Sequence, residues 1–194
     1  MPDRSIPRLS LLAALAISLA VIAATAGILL AMGRIPMCDC GFIKPWHSGR
    51  GDAQVSQHLA DWYTYSHVLH GVIFYWLLWA VFRGRLSIAA RLVMAVLIEA
   101  AWEIFENTAF IIDRYRAQTV SRTYVGDSVV NSAGDMLATV AGFLFTARMP
   151  AWVTVILVIA TEAVMLMVLR DNLLLNIVML VYPLEWIRQW QSAG

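Results

Sequence analysis

Long apolar stretches separated by short polar ones dominate this chain. Residues 9–32 are rich in Leu, Ala and Ile and carry no charge. Four further stretches of similar character follow at about 66–82, 89–112, 127–147 and 151–169. A helix needs about 20 mostly apolar residues to cross a bilayer core, so each of the five is long enough, or nearly so, to span one. The spacing therefore predicts an all-α, polytopic helical membrane protein, with 1–194 forming a single integral membrane domain. A polar loop at 33–65 separates the first span from the second. Its Gly41, Pro45, Gly49 and Gly51 predict an irregular first half, and the Gln57–Tyr65 part leads into the next helix. After Arg170-Asp171-Asn172 comes a shorter apolar piece, 173–184, which at about 1.5 Å per residue is too short to cross. Carried on through Trp186 and Trp190 to residue 190, it forms either a tilted sixth helix or one lying at the interface, where Trp is at home. The expected architecture is five spans plus this short C-terminal helix.

Composition agrees. Of the 194 residues 60% are hydrophobic and 14% charged, and the mean hydropathy is +0.70. Soluble domains carry about 25% charged residues. The net charge of +1 says nothing about partners, and no basic run suggests nucleic acid; membrane lipids are the expected partners. The first stretch is longer than the apolar core of a typical signal peptide and reads as an uncleaved signal anchor. Basic residues divide evenly between the two sides, so their count does not orient the chain. Arg4 and Arg8 before the first span, against Arg34 just after it, together with the loop thiols, place the amino terminus in the cytoplasm.

Against that background the polar residues inside the apolar stretches stand out, because carboxylates at membrane depth cost several kcal/mol each. Glu99, Glu103 and Glu106 recur at i, i+4 and i+7, on one face of a helix. His67 and His70 open the second span; Asp127, Asn131 and Asp135 open the fourth at i, i+4 and i+8. Alternation of spans puts the starts of the second and fourth and the ends of the third and fifth on the same side. His58, Asp61, His67, His70, Glu103, Glu106, Asp113, Asp127, Asn131, Arg170 and Asp171 then fall in that one layer, with Glu99 a turn deeper. Gly134, Ala138 and Gly142 lie near the acidic stripe and allow a neighbouring helix to approach closely. Gly71 leaves room beside His70 and favours it over His67.

Three kinds of chemistry fit these groups. His67, His70, Glu103, Glu106 and Asp127 form a ligand set for a divalent metal ion that activates water or polarises a phosphoryl or carbonyl group. Without metal, Glu103, Glu106, His70, Asp127 and Asn131 are the catalytic candidates, a carboxylate working with histidine as general acid and base. In the third reading they form a proton or ion path, or a network that only holds the helices in register. Arg114, Arg116 and Arg122 suit lipid headgroups or an anionic substrate. Glu162 stands alone in the fifth span, as a packing hydrogen bond or an outlier, and Arg170-Asp171 suggests a local ion pair. Cys38 and Cys40 are two residues apart, a spacing poorly suited to bridging each other. They read as loop thiols, or as half of a metal or redox site with His47. His47 and His58 read as loop histidines.

Several motifs carry a resemblance. Met-Cys-Asp-Cys-Gly at 37–41, Ser-His-Val-Leu-His-Gly at 66–71, Trp-Glu-Ile-Phe-Glu-Asn at 102–107, Gly-Asp-Ser-Val-Val-Asn-Ser at 126–132 and Arg-Asp-Asn-Leu at 170–173 are similar to an uncharacterised family of alphaproteobacterial multi-pass inner-membrane proteins. That resemblance implies a bacterial inner-membrane location. A second, confined to spans two to four, is to the VanZ-like membrane proteins. His70 and Phe74, then Glu103 and Glu106 with Glu in place of Gln, a loose match at Arg122, and Asp127, Asn131 and Gly134 with Ala138 in place of Gly follow their pattern. It implies a shared helical scaffold with a polar site. Neither resemblance carries an activity; the acid, histidine and asparagine groups gathered at headgroup depth give the expectation of a membrane-embedded hydrolase or transferase acting on a lipid or lipid-linked envelope substrate. The competing one is a non-enzymatic transport, binding or assembly protein.

Overall fold

The computed structural model describes residues 9–83, 85–119 and 122–193. Arg4 and Arg8, used above for orientation, lie outside these residues. Among the described residues the regular structure is entirely helical: α1 (Leu11–Ala31), α2 (Thr64–Phe82), α3 (Ile88–Glu106), α4 (Ala109–Gln118), α5 (Val129–Arg148), α6 (Ala151–Leu169), α7 (Leu173–Val181) and α8 (Glu185–Ser192). Polar residues fix where several begin. Ser10, Ser87, Thr108, Ser128 and Asn172 are N-caps whose side chains accept a backbone N–H from the first turn of α1, α3, α4, α5 and α7.

Four helices, α1, α2, α5 and α6, are long and apolar enough to cross a membrane. α3 matches α2 and α6 at 19 residues but carries Arg91, Glu99, Glu103 and Glu106, and it packs against α1, α2 and α5. The stretch expected to run unbroken over 89–112 is interrupted. α3 ends at Glu106, Asn107 closes it, and Thr108 caps a new helix, α4. The apolar run Ala109–Ile112 hides this boundary from hydropathy, whereas the Asn-Thr pair marks it. The tail is likewise two helices. Tyr182 closes α7, and Pro183, which has no N–H to donate, prevents the helix from continuing. α7, with nine residues, is about 14 Å long and does not span.

The closest crossing joins α2 and α5. A Cβ added to Gly71 would overlap the Thr139 carbonyl oxygen and lie 2.6 Å from the Phe143 nitrogen. One added to Gly142 would overlap the Val68 carbonyl oxygen. The space beside Gly71 thus holds the α5 backbone and is not left for a ligand, while Gly142 plays the expected small-residue role. Thr139 Oγ1 ties the same crossing by donating to the His67 carbonyl at 2.9 Å. Phe143, Leu92, Ala95, Val96 and Met136 fill the core beneath it. Leu12, Leu19, Trp152 and Ile159 on α1 and α6 are exposed, as lipid-facing side chains should be.

The loop at 33–65 folds onto one end of the bundle. Its first half has no helix, and α2 starts only at Thr64. Val129 and Val130 at the start of α5 donate to the carbonyls of Ile35 and Pro36, and Gly134 packs against the Leu59 carbonyl. His58 is fully buried, its Nδ1 accepting the Lys44 N–H at 3.2 Å and its Nε2 lying 3.0 Å from Gln54 Oε1. His47 lies 3.0 Å from Asp52. Both remain loop histidines. Cys38 and Cys40 form a disulfide, with Cα atoms 5.1 Å apart. The spacing argument against a bridge fails because the turn around Asp39 brings the two side chains together.

Candidate functional site: an acid–histidine pocket

Alternation of helices gathers the polar layer as expected. Its centre is His67, from the first turns of α2. His67 Nδ1 lies 2.6 Å from Glu99 and 3.5 Å from Glu103, and its Nε2 is 3.8 Å from Asp135. Glu99 also takes His70, whose Nδ1 sits 3.0 Å from Oε2. As a carboxylate, Glu99 accepts from both imidazoles and fixes both as Nδ1–H forms, with Nε2 as the basic nitrogen when neutral. Glu99 and Glu103 are fully buried and Asp135 is 4% exposed. Neither oxygen of Glu103 has a hydrogen-bond partner, and Asp135 Oδ1 has none.

Asp127 lies in different surroundings. Asn107 Nδ2 donates to its Oδ2 at 3.0 Å and Tyr124 donates to its Oδ1 at 3.0 Å. The Asp127 N–H in turn donates to Asn107 Oδ1 at 2.8 Å. Around it, Gln57 donates to the Gly126 carbonyl, and Ser128 Oγ to the Gln57 carbonyl. Gly126 adopts φ 92°, a left-handed turn that suits glycine. Asn131 donates through Nδ2 to the His58 carbonyl at 2.9 Å, with its Oδ1 buried and unpartnered. Asn107, Tyr124 and Gln57 were not among the sequence candidates; Asn107 and Tyr124 carry no charge to draw attention, and only the Asn-Thr boundary signal points to the first.

A third group closes the pocket on the tail side. Asp171 accepts from Tyr63 at 3.2 Å, Gln191 at 3.2 Å and Asn176 at 3.4 Å. Arg170 does not pair with it; Arg170 donates to the Trp190 carbonyl and lies over that ring. Burial pushes the Asp171 carboxyl up to about 6 despite these donors. Asp61, buried in the loop just before α2, is also raised by burial, while the Ser56 and Tyr63 N–H groups pull it back. Glu162 is neither outlier nor interhelical packing bond alone: its two oxygens accept the N–H groups of Leu173 and Leu174, each at 3.1 Å.

Between these groups lies a cavity of about 890 Å³. His67, His70, Glu106, Asp127 and Asp135 give it a polar wall, and Ile73, Phe74, Ile98, Leu173 and Leu180 an apolar one. Glu106 is half-buried here, near Tyr115, whose hydroxyl donates to Asn176 Oδ1 at 3.0 Å. Of the three arginines, only Arg122 reaches the lining. Arg114 donates to the Leu180 and Val181 carbonyls and Arg116 to that of Tyr124, so both hold backbone. Two trios bring nitrogen and oxygen atoms within 4.8 Å of one another in metal-ligating combinations: His67, His70 and Glu99, and His67, Glu103 and Asp135. Glu106 and Asp127, counted as ligands on sequence, belong to neither. Cys38, Cys40 and His58 form a third such group, in which the thiols are already joined.

Fold and site together define a polytopic helical membrane protein with an acid–histidine pocket at one end of its bundle. The chain belongs to the family described as "Protein of unknown function (DUF2585)", whose pattern matches residues 29–193. It is 52% identical over 166 residues to the UPF0314 protein of Agrobacterium fabrum, covering 86% of this chain and 83% of that one. To the UPF0314 protein of Paracoccus denitrificans it is 53% identical over 165 residues, 85% of each chain. To that of Novosphingobium aromaticivorans it is 48% identical over 198 residues, 100% of this chain and 96% of the relative. The first family resemblance is thereby established. The comparisons do not show the likeness to VanZ-like proteins. No solved structure matches.

Proposed function

We propose that this protein is a hydrolase or transferase embedded in the bacterial inner membrane, acting on a lipid or lipid-linked envelope substrate. The observation that carries the reading is His70: its Nδ1 is held by buried Glu99 at 3.0 Å while its ring lines a cavity with one polar and one apolar wall. A carboxylate that fixes the tautomer leaves the other nitrogen free to take a proton from an attacking hydroxyl or water. The volume, about 890 Å³, lies within the range of ligand sites. The mixed walls suit a molecule that is apolar at one end and polar at the other. Arg122 offers its charge to an anionic headgroup. The Cys38–Cys40 disulfide, on the loop at the pocket's end, supports placing that end on the oxidising outer side, with the amino terminus in the cytoplasm.

Complementation of a deletion strain tests the reading. His70→Ala should abolish function with abundance unchanged, and a lipid species should build up in the deletion strain. Full complementation by both His70→Ala and Glu103→Ala would end it. The non-enzymatic reading draws on the fully paired Asp127 and predicts that substitutions in the polar layer lower abundance without altering any lipid.

A further inference from the structure

Glu103 presents a problem that protonation does not solve. As a carboxylate it needs donors, and as a carboxylic acid it needs an acceptor for its own proton. Neither oxygen has a hydrogen-bond partner, and the side chain is fully buried. The nearest cationic candidate, His67, is 3.5 Å away and already gives that nitrogen to Glu99 at 2.6 Å. Asp135 repeats the pattern with an unpartnered Oδ1 and an Oδ2 3.8 Å from His67 Nε2. Ligand atoms of His67, Glu103 and Asp135 lie within 4.8 Å of one another. Two carboxylates so close in a protein interior repel each other unless a proton or a cation lies between them.

We infer that His67, Glu103 and Asp135 bind a divalent first-row transition-metal ion. The donor set, one imidazole nitrogen and two carboxylates, suits Zn²⁺ or Mn²⁺. Glu99 then has the role that carboxylates commonly take behind a metal-bound histidine. By accepting the Nδ1–H it orients the ring and makes Nε2 the ligating atom. His67 and Asp135 line the cavity, so an ion held there faces the pocket and keeps a position for water or substrate oxygen. The competing occupant is a water molecule, which would give Glu103 a donor and leave the paired negative charge in place. The inference rests on the pocket proposed above but not on its turnover, because occupancy is read without substrate.

The test uses the full-length protein in detergent, stripped with chelator, loaded with Zn²⁺ or with Mn²⁺, desalted, and measured by elemental analysis. The wild type should retain near-stoichiometric metal from one of the two loadings, and Glu103→Gln and Asp135→Asn should each weaken retention by about tenfold or more, at least the loss seen for groups behind a ligand. Retention of neither ion by the wild type overturns the inference, as does wild-type retention in either variant. Pulsed electron paramagnetic resonance of the Mn²⁺-loaded wild type gives a readout that needs no variant. Coupling to one imidazole nitrogen supports the site. Two imidazole nitrogens would place the ion on His67, His70 and Glu99, and none would remove it from this layer; either result sinks the inference. Failure of complementation by His70→Ala with metal retained would bear on the reaction alone.

Discussion

Two carboxylate clusters lie in the same layer of the bundle and use their oxygens in opposite ways. Around Asp127 each oxygen has a donor, and those donors come from the end of α3 and from the segment before α5. Around Glu103 and Asp135 three buried oxygens have none. A satisfied buried polar cluster ties segments together, and removing one member leaves the others unpaired. An unsatisfied one lowers stability, so it persists where something else uses it. Residue type and burial are alike in the two clusters. The difference lies in the partners.

Four substitutions press on that contrast, in order of expected effect on stability. Gly71→Val forces side-chain atoms into the backbone of α5, the helix that carries Asp135 and starts just after Asp127. It should cost about 3 kcal/mol or more and lower the melting temperature in detergent, with both clusters lost together. Wild-type melting would show that the crossing is not the common support. Asp127→Ala leaves one Asn107 amide proton (the amide still donates to the Glu103 carbonyl) and the Tyr124 hydroxyl without acceptors, at about 1–3 kcal/mol each. Its abundance and melting temperature should fall. Unchanged melting would erase the distinction between the clusters.

Asp171 allows a test by pH. Its carboxyl ionises at about 6 in the folded chain against a reference near 3.8, so folding favours the protonated form. Stability from this group is complete below about pH 4 and declines as pH rises through about 6, where the unfolded chain binds fewer protons. The range of that decline is at most about 3 kcal/mol. In Asp171→Asn the slope of the difference from wild type between pH 4 and 6 should mirror it. Parallel curves would show that Asp171 is not desolvated as described. The smallest effect on stability belongs to Glu103→Gln. Replacing a carboxylate that lacks donors should change the metal-free melting temperature little or raise it, while complementation is lost. A fall comparable to that of Asp127→Ala would mean that Glu103 is as structural as Asp127.

Hydropathy alone locates the apolar helices, because lipid-facing length is a one-dimensional property of the chain. It overruns at Asn107-Thr108, where the helix ends inside apolar residues and only the capping pair reports it. It also merges α7 with α8, although Pro183 marks the break. The composition of the polar layer follows from alternation of spans, and Glu103, Asp127 and the two histidines are there. Roles within the layer do not follow, because they depend on distances between helices. The place of His67 between three carboxylates comes from the Gly71–Gly142 crossing. Glu99 serves both histidines only because α3 lies against α2. Arg114 and Arg116 show the converse: charge marks them as ligands for an anion, whereas packing gives them to the carbonyls at the end of α7 and beside Tyr124.

The carboxylate of Glu162 has a consequence for the tail. The first N–H groups of a helix have no acceptor within it, and water normally supplies one. In a bilayer core no water does. By offering both oxygens to the first residues of α7, a side chain from α6 substitutes for solvent and lets the polypeptide reverse direction and begin coiling again beside the hydrocarbon. α7 is thereby moored to α6, while α8 is tied by Gln191 and the Trp190 carbonyl to Asp171 and Arg170. Glu162 thus ties the start of α7, whose Leu173 lines the cavity, to α6.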